Sequence, residues 1–201
     1  MKQIAKRIFD LILSFMGIII CLAFFLSISL LIVITNGFPV FYVQKRVGLG
    51  NKDFNLYKFR TMKKNADKKG LLTIGGRDPR ITGIGYYLRR YKLDELPQLF
   101  NVLFGSMSLV GPRPEVRKYV DLYNEEQKKV LRLRPGITDY ASLEYYNENE
   151  LLDNSPDPEK TYINEIMPAK LELNKKYINE AGMKTDLKII LKTIARVFIP
   201  S

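Results

Sequence analysis

Histidine is absent from the 201-residue chain, and cysteine occurs once, as Cys21. Without histidine there is no Ser-His-Asp triad, no histidine general base and no histidine-liganded zinc. A lone cysteine forms neither an internal disulfide bond nor a thiolate metal site. Any chemistry must therefore come from carboxylates, lysine, arginine, tyrosine, backbone amides and, where needed, a hard cation.

Charge is also absent from one long segment, since no charged residue lies between Asp10 and Lys45. Residues 11–35 form an apolar run of 25 residues, and about 20 are needed for a helix to cross the hydrocarbon core. A cleaved signal peptide usually has a shorter apolar run and a small-residue cleavage site. A buried core helix this uniformly apolar would be unusual in so small a protein. The run therefore predicts membrane insertion.

The topology of this element follows from its flanks. Basic residues lie on both sides of the run: Lys2, Lys6 and Arg7 before it, and Lys45, Arg46 and Lys52 after it. Because the positive-inside rule keeps both flanks in the cytoplasm, a re-entrant helix is favoured over a straight span. No proline precedes Pro39, so Ser27 and Ser29 are the expected site of the bend.

The membrane element also carries an opposite-charge pair near its start. Asp10 lies three residues after Arg7, so the two side chains can pair on one helix face. We interpret them as an anchor at the headgroup level. An ordinary helix-surface contact is the alternative.

Positive charge is concentrated in the first half of the chain. Residues 1–92 hold 17 Lys/Arg and 4 Asp/Glu, whereas residues 93–201 hold 15 and 17. The net charges are therefore +13 and −2, within the +11 of the whole chain. This asymmetry predicts an anionic partner, namely nucleic acid, membrane headgroups or a phosphorylated substrate.

The remaining pattern predicts an α+β fold that is mainly helical. Residues 1–36 are expected to form the membrane helix and residues 37–201 a small cytosolic catalytic domain with short strands and interfacial amphipathic helices. Runs at 40–43 and 54–59 predict a hairpin, and helical patterns follow at about 84–91, 95–104, 115–131, 159–180 and 184–198. The segment 184–198 is basic and amphipathic, which suits a membrane surface; packing onto the domain core is the alternative.

A pair of acidic residues, Asp94 and Glu95, is the first candidate for chemistry. Pro97 is tolerated only in the first turn of a helix, so Asp94 is expected at or beside an N-cap. Backbone N–H groups and the nearby Arg89 would keep such a carboxylate ionised. It could attack phosphorus or bind magnesium, with Glu95 holding the metal or managing a proton. Simple helix capping by Asp94 is the alternative.

Two arginines next to prolines are the second candidate. Arg113 lies between Pro112 and Pro114, and Arg134 precedes Pro135. Proline biases the preceding residue toward an extended backbone, and a fixed guanidinium suits bidentate phosphate recognition. A solvated arginine in a surface turn is the alternative. With the carboxylate pair and the basic membrane element, these arginines indicate phosphate chemistry at a membrane face.

Five motifs follow one another along the chain: Lys6-Arg7-x-x-Asp10, Tyr57-Lys58-Phe59-Arg60-Thr61-Met62, Leu93-Asp94-Glu95-Leu96-Pro97-Gln98, Gly111-Pro112-Arg113-Pro114 and Arg134-Pro135-Gly136-Ile137-Thr138. With these motifs the chain resembles, over nearly its whole length, the small monotopic phosphoglycosyl transferases of the bacterial sugar transferase family. These enzymes start glycan assembly on polyprenol phosphate, at the cytoplasmic face of the bacterial inner (cytoplasmic) membrane.

The resemblance implies a two-step displacement. Asp94 would attack the β-phosphorus of a UDP-sugar and release UMP, and undecaprenyl phosphate would then take the sugar phosphate from Asp94. Mg²⁺ is the implied cofactor, held by Asp94 and Glu95. Phosphate binding is expected from four cationic side chains: Lys58, Arg89, Arg113 and Arg134.

The chain departs from the family pattern at two places. Many members carry a Ser-Pro break in the membrane helix, which by spacing would fall near Leu22-Ala23, and it is absent here. Many members also have a later arginine associated with nucleotide or phosphate, and this chain has Tyr146 near that place.

Three other functions are compatible with part of the sequence. A Leloir-type glycosyl transferase on a lipid acceptor would release UDP rather than UMP. A membrane-tethered nucleic-acid binder would use stacking tyrosines, but it leaves Asp94 and Glu95 without a purpose, so we expect no nucleic-acid partner. An inactive scaffold would be expected to have lost this acidic pair, which is intact.

Overall fold

The computed structural model describes residues 2–66, 70, 72–75 and 78–198, and this part of the chain is mainly helical with two small sheets. The helices are α1 Lys2–Ile20, α2 Leu22–Asn36, α3 Gly83–Arg90, α4 Gln98–Leu103, α5 Arg117–Val120, α6 Tyr140–Glu144, α7 Glu148–Asp153, α8 Pro158–Thr161, α9 Met167–Glu180 and α10 Met183–Phe198. The strands are β1 Phe41–Val47, β2 Asp53–Phe59, β3 Ser108–Val110 and β4 Gly136–Thr138. This composition agrees with the α+β prediction.

The apolar N-terminal element is a bent helix pair. By length and composition, no single helix in the described ranges could cross a membrane, whereas α1 and α2 together could, and their axes differ by 59°. The bend lies at Cys21, beside the expected Leu22-Ala23 position. The prediction of a bend at Ser27 and Ser29 is wrong, because Ser29 Oγ donates to the Phe25 carbonyl 2.6 Å away and stays inside α2.

Tertiary packing explains where the two helices diverge. Helix α1 runs along α4, whereas α2 buries Phe25, Ile28 and Ile32 against a cluster that includes Phe59 and Leu88. Most other large apolar side chains of both helices remain exposed. The alternative of a buried core helix is therefore wrong.

Arg7 and Asp10 fix α1 to the rest of the protein and do not pair with each other, so the predicted pair is corrected. Arg7 donates to the carbonyls of Val102 at 2.8 Å and Leu103 at 3.2 Å, at the end of α4. Asp10 is buried and accepts from Ser108 Oγ at 2.8 Å. The two side chains are drawn apart because the unpaired carbonyls of a helix end attract a cation. They connect α1 to the domain.

The predicted hairpin is confirmed. Strands β1 and β2 pair antiparallel with Phe41 opposite Phe59 and Val47 opposite Asp53. The short strands β3 and β4 pair in parallel. Gly111 and Gly136 permit this second pairing, because a Cβ on Gly136 would lie 2.1 Å from the Gly111 nitrogen. This close contact between the Gly111 and Gly136 backbones positions the loop that carries Arg113.

One predicted helix is wrong and the others are found near their expected bounds. Residues 115–131 form only α5 and a 3₁₀ turn, Gln127–Arg132. Between them Asn124 and Gln127 exchange hydrogen bonds, each amide oxygen accepting from the other's backbone N–H at 2.9 Å. Such local side-chain bonds compete with a helical backbone.

Helix α10 has two apolar faces. Ile189 is fully buried and packs with Tyr177 and Val110, so part of the helix belongs to the domain core. Leu187, Leu191 and Ile194 are exposed along another face. The face of α10 that carries Ile189 therefore packs onto the domain core. A role of the exposed face at a membrane surface stays a prediction.

Candidate active site

Asp94 and Glu95 lie in a 3₁₀ turn, Leu93–Glu95, between α3 and α4. Lys92 starts this turn in the left-handed region with φ 54°. Helix α4 begins at Gln98 without a side-chain cap, so Asp94 does not cap it. The expectation that backbone N–H groups hold the Asp94 carboxylate is therefore wrong, because the helix starts one turn later than the proline suggested.

Glu95 is held by two cations. Arg113 donates to both of its carboxylate oxygens, through Nη1 at 3.2 Å and through Nη2, and Lys58 Nζ donates to Oε1 at 3.1 Å. The backbone nitrogen of Arg113 is itself fixed by Asp139 Oδ2 at 3.1 Å. Burial would raise the pKa of Glu95, but the charges of Arg113 and Lys58 outweigh burial and hold that pKa well below its usual range.

Asp94 is the carboxylate that remains available. It is only 6% exposed, and within the ranges that the structure describes no hydrogen bond or ion pair reaches its side chain. Burial raises the pKa of Asp94; Lys58 and Arg89 oppose this rise, and the charge of Glu95 adds to it. Two adjacent carboxylates thus have pKa values shifted in opposite directions, a pattern that separates a reacting group from a structural one.

Arg89 supplies a cation that is not committed to a carboxylate. Its Nη2 donates to Thr73 Oγ1 at 2.9 Å and its Nη1 to Thr61 Oγ1 at 3.5 Å. These neutral partners orient the guanidinium and leave its charge uncompensated. It can therefore meet an anion beside Asp94.

Two cavities meet at this turn. The first cavity, of about 440 Å³, is lined by Glu95 and Arg113 and by residues of the second half of the chain, including Tyr146 and Arg196. The second cavity, of about 470 Å³, is lined mainly by the β1–β2 hairpin and residues 60–66. Five residues line both cavities: Arg46, Lys58, Thr73, Arg89 and Asp94. A group bound in either cavity can therefore reach the Asp94 carboxylate.

Arg134 is not part of this arrangement, so the prediction that it binds phosphate here is corrected. Its Nε donates to the Gly105 carbonyl at 3.1 Å, and it lines neither cavity. The adjacent Pro135 carbonyl accepts from the Ser108 nitrogen at 2.8 Å. This pairing of the two chain segments turns Arg134 toward the end of α4.

The sequence interpretation missed a cationic and aromatic group in the first cavity. The Tyr146 ring lies 4.8 Å from Lys92 Nζ and 5.4 Å from the Arg196 guanidinium carbon, both within cation–π range. Arg196 belongs to the basic amphipathic segment 184–198. Only the packing of α10 brings it to Tyr146, so no local signal could have located it.

The donor set is compatible with a magnesium ion that a substrate helps to bind. No group of three or more possible ligands is found among the described residues. Asp94 supplies one carboxylate without a bonded partner among them, and the adjacent Glu95 already accepts from Arg113 and Lys58. Mg²⁺ commonly takes one or two carboxylates and completes its shell with water and substrate phosphates. The residues therefore fit Mg²⁺ bound together with a diphosphate.

Comparison with known proteins finds relatives over most of the chain. The chain is 35% identical over 195 residues to the UDP-N-acetylgalactosamine-undecaprenyl-phosphate N-acetylgalactosaminephosphotransferase of Aeromonas hydrophila, covering 96% of this chain and 43% of that protein. It is 37% identical over 198 residues to the sugar transferase EpsL of Bacillus subtilis, covering 98% and 89%. It is 30% identical over 206 residues to the UDP-glucose:undecaprenyl-phosphate glucose-1-phosphate transferase of Escherichia coli, covering 98% and 41%.

The chain thus spans less than half of two of these relatives. The model of one family, described as bacterial sugar transferase, matches residues 1–200. The chain therefore belongs to the bacterial sugar transferase family.

Proposed function

We propose that the protein transfers a sugar 1-phosphate from a UDP-sugar to undecaprenyl phosphate and releases UMP. The observation that carries this proposal is the buried Asp94 carboxylate between two cavities, which has no hydrogen-bond or ion-pair partner in the described part of the chain. It lies next to a Glu95 whose oxygens are held by cations. The family, and the undecaprenyl-phosphate transferases among its relatives, support the same reaction class.

In the first step, an ionised Asp94 oxygen attacks the β-phosphorus of the UDP-sugar. The new bond joins Asp94 to the sugar phosphate, and the bond between the β-phosphorus and the bridging oxygen breaks, so that UMP leaves with the electron pair. Lys58 and Arg89 lie beside Asp94 and offset the repulsion between the carboxylate and the diphosphate.

In the second step, a phosphate oxygen of undecaprenyl phosphate attacks the phosphorus of the sugar phosphate on Asp94. The Asp94–phosphorus bond breaks and the carboxylate is regenerated, giving undecaprenyl diphosphate-sugar. No general base is required, because the attacking phosphate is already ionised near neutral pH.

Glu95 is a positioning residue in this scheme, since both of its oxygens accept from Arg113 and Lys58. We propose that Asp94 and Glu95 would also hold Mg²⁺ when the diphosphate is bound. The ion would supply positive charge to the phosphate oxygens.

We further propose that the protein lies at the cytoplasmic face of the bacterial inner membrane, with α1 and α2 re-entrant. The exposed apolar faces of the bent pair support insertion. The basic residues on both flanks support a return to the same side.

The test uses the full chain in detergent with Mg²⁺, undecaprenyl phosphate and a panel of UDP-sugars, beginning with UDP-N-acetylgalactosamine and UDP-glucose. UMP release that is lost in Asp94→Asn and kept in Asp121→Asn supports the proposal, because Asp121 is an exposed carboxylate that lines neither cavity. Intact-mass spectrometry with the donor alone should show a sugar-phosphate adduct on the parent chain. Release of UDP would identify a Leloir-type transferase and refute the proposal.

A further inference from the structure

Among its described lining residues, the first cavity has more uncompensated positive than negative charge. Four acidic side chains line it, and three of these are already held by cations, as Glu95 is by Arg113. Asp94 is the fourth. Three cationic side chains of the same lining have no carboxylate partner among the residues that the structure describes: Arg89, Lys92 and Arg196. The cavity is therefore matched to a ligand with more than one negative charge.

Lys92 and Arg196 form a group separate from Arg89, because they line the first cavity alone whereas Arg89 lines both cavities. The two cations meet at Tyr146, whose ring lies 4.8 Å from Lys92 Nζ and 5.4 Å from the Arg196 guanidinium carbon. Lys92 begins the turn that carries Asp94. One end of this group therefore adjoins the proposed nucleophile.

The guanidinium of Arg196 is available to an anion. No hydrogen bond or ion pair reaches it from the described residues, and Nε is the one nitrogen of the three that is buried without a partner. Nη1 and Nη2 therefore remain accessible. Both can donate to the oxygens of one phosphate.

Helix packing fixes the position of Arg196. Thr193 lies three residues earlier on the same face of α10, and its hydroxyl shares a hydrogen bond of 2.6 Å with the hydroxyl of Thr138 in β4. Ile189, one turn further back, is fully buried. Arg196 is thus presented to the cavity by a helix that packs on the domain core, and the Tyr146 ring orients its end.

The proposed displacement at Asp94 requires cations for two phosphates. In an in-line attack the leaving phosphate lies on the side of the β-phosphorus opposite the Asp94 oxygen. Lys58 and Arg89 line both cavities together with Asp94, where they meet the phosphorus under attack. The departing nucleoside monophosphate has close to two negative charges near neutral pH. Lys92 and Arg196 are two cations of the first cavity that can match them.

We propose that Lys92 and Arg196 bind the phosphate of the departing nucleoside monophosphate, with Arg196 oriented by the Tyr146 ring. The proposal rests on the function proposed above and adds the last helix to the donor site. The two cations stabilise the charge that develops on the leaving oxygen as its bond to the β-phosphorus breaks. Transfer to undecaprenyl phosphate follows the departure of UMP, so it does not use Arg196.

UMP binding to the full chain in detergent tests this assignment without turnover. Arg196→Gln removes the charge and both accessible donors, and we expect the Kd for UMP to rise about tenfold. Lys192→Gln is the matched control, because it removes the same charge from the same helix at an exposed position that lines neither cavity. Equal Kd values in the two variants would overturn the proposal.

Uridine distinguishes the phosphate from the nucleoside and reports on the fold of the variant. It should bind the parent chain and Arg196→Gln with the same Kd, because it lacks the phosphate. The advantage of UMP over uridine should therefore shrink about tenfold in Arg196→Gln. Equal weakening of both ligands would contradict the assignment of Arg196 to the phosphate.

Two changes at Tyr146 test the orienting ring. Tyr146→Phe keeps the aromatic face and loses only the hydroxyl, which donates to the Arg90 carbonyl 3.4 Å away, so the Kd for UMP should stay near that of the parent. Tyr146→Leu removes both cation–π contacts and should raise this Kd about threefold. An equal loss of affinity in the two variants would refute the role of the ring.

Steady-state kinetics relate this site to the proposed function. Arg196→Gln should lower kcat/KM for the UDP-sugar and leave kcat/KM for undecaprenyl phosphate unchanged, because the two half-reactions are separate. A fall in kcat/KM for undecaprenyl phosphate alone would sink the assignment to the donor side. A parent chain that releases no UMP would refute the proposed function instead, and the comparison of UMP with uridine would still decide whether Arg196 binds a phosphate.

Discussion

Arg113 holds both carboxylate oxygens of Glu95. Since Lys58 also donates to Glu95, the two acidic residues that are neighbours in sequence have different surroundings. Glu95 is held by two cations, and Asp94 lines both cavities with no bonded partner among the residues that the structure describes. This asymmetry supports the proposed attack by Asp94 and the proposed positioning role of Glu95.

The first prediction concerns that pairing. Arg113→Lys keeps the charge but cannot donate to both Glu95 oxygens in one plane. We expect kcat to fall by about 10–100-fold, with UMP release as the measurement. Arg117→Lys serves as the control because it also weakens an arginine–carboxylate pair, with Asp53, outside the cavities. Equal activity of the two variants would contradict the role of Arg113.

The second prediction concerns pH. Asp94 must be ionised to attack, and burial raises its pKa above the usual value. The UMP burst should therefore increase with pH through a midpoint above about 4, the ordinary range of an aspartate. Glu95 does not titrate in this window, because its pKa is held well below its usual range.

Arg89→Gln refines this test. Arg89 lowers the pKa of Asp94, so its removal should move the midpoint to higher pH as well as reduce the rate. Arg117→Gln should leave the midpoint in place. A midpoint that stays fixed in Arg89→Gln would show that another group controls the acid limb.

The sequence allowed good predictions where the signal was local. Alternation of apolar and polar residues in 54–59 was enough for β2, and Pro97 indicated that a helix starts in this segment, although α4 begins at Gln98 and not at the expected residue 95. Their neighbours Lys58, Arg89 and Arg113 are brought together as the family motifs suggested. These features depend on the pattern of neighbouring residues, or on family motifs whose residues meet at one site.

Predictions failed where orientation depends on distant contacts. Arg113 and Arg134 carry the same local signal, an arginine followed by proline. The pairing of β3 with β4 turns Arg134 toward Gly105, while Glu95 receives Arg113. The orientation of Arg60 likewise depends on distant groups, because it donates to carbonyls 23 and 24 residues away, at the end of α2.

The third prediction concerns the attachment of α1. Asp10→Ala removes the acceptor of the Leu109 nitrogen, whereas the Ser108 hydroxyl keeps the Val110 carbonyl, 2.9 Å away, as a second acceptor. Leaving the backbone N–H of Leu109 unpaired costs about 1–3 kcal/mol, so Tm in detergent should fall by about 2–10 °C. Asp121→Ala should change little, because its pair with Arg117 is exposed. An unchanged Tm with weaker membrane association would restore the headgroup-anchor interpretation.

The fourth prediction concerns topology. In a Cys21→Ala background, Gln3→Cys and Lys45→Cys place single thiols at exposed positions in the first turn of α1 and after α2. Because both flanks are expected on the cytoplasmic side, neither thiol should react with a membrane-impermeant maleimide in intact spheroplasts, and both should react after lysis. Labelling of one thiol from outside would demonstrate a straight span.

The fifth prediction separates the two faces of α10. Leu191 is 58% exposed and Ile189 is fully buried, so the same change to serine has different consequences at the two positions. Ile189→Ser places a hydroxyl in the core and should destabilise the fold by about 2–4 kcal/mol, measured as a lower Tm in detergent. Leu191→Ser should leave Tm unchanged.

Vesicle binding tests the exposed face of α10. Residues 1–36 are deleted from both the Leu191→Ser variant and its parent, and each truncated chain must keep its cooperative melting. If the exposed face lies in the membrane surface, Leu191→Ser should weaken retention on anionic vesicles. Equal vesicle retention of Leu191→Ser and its parent would show that this face does not contact lipid.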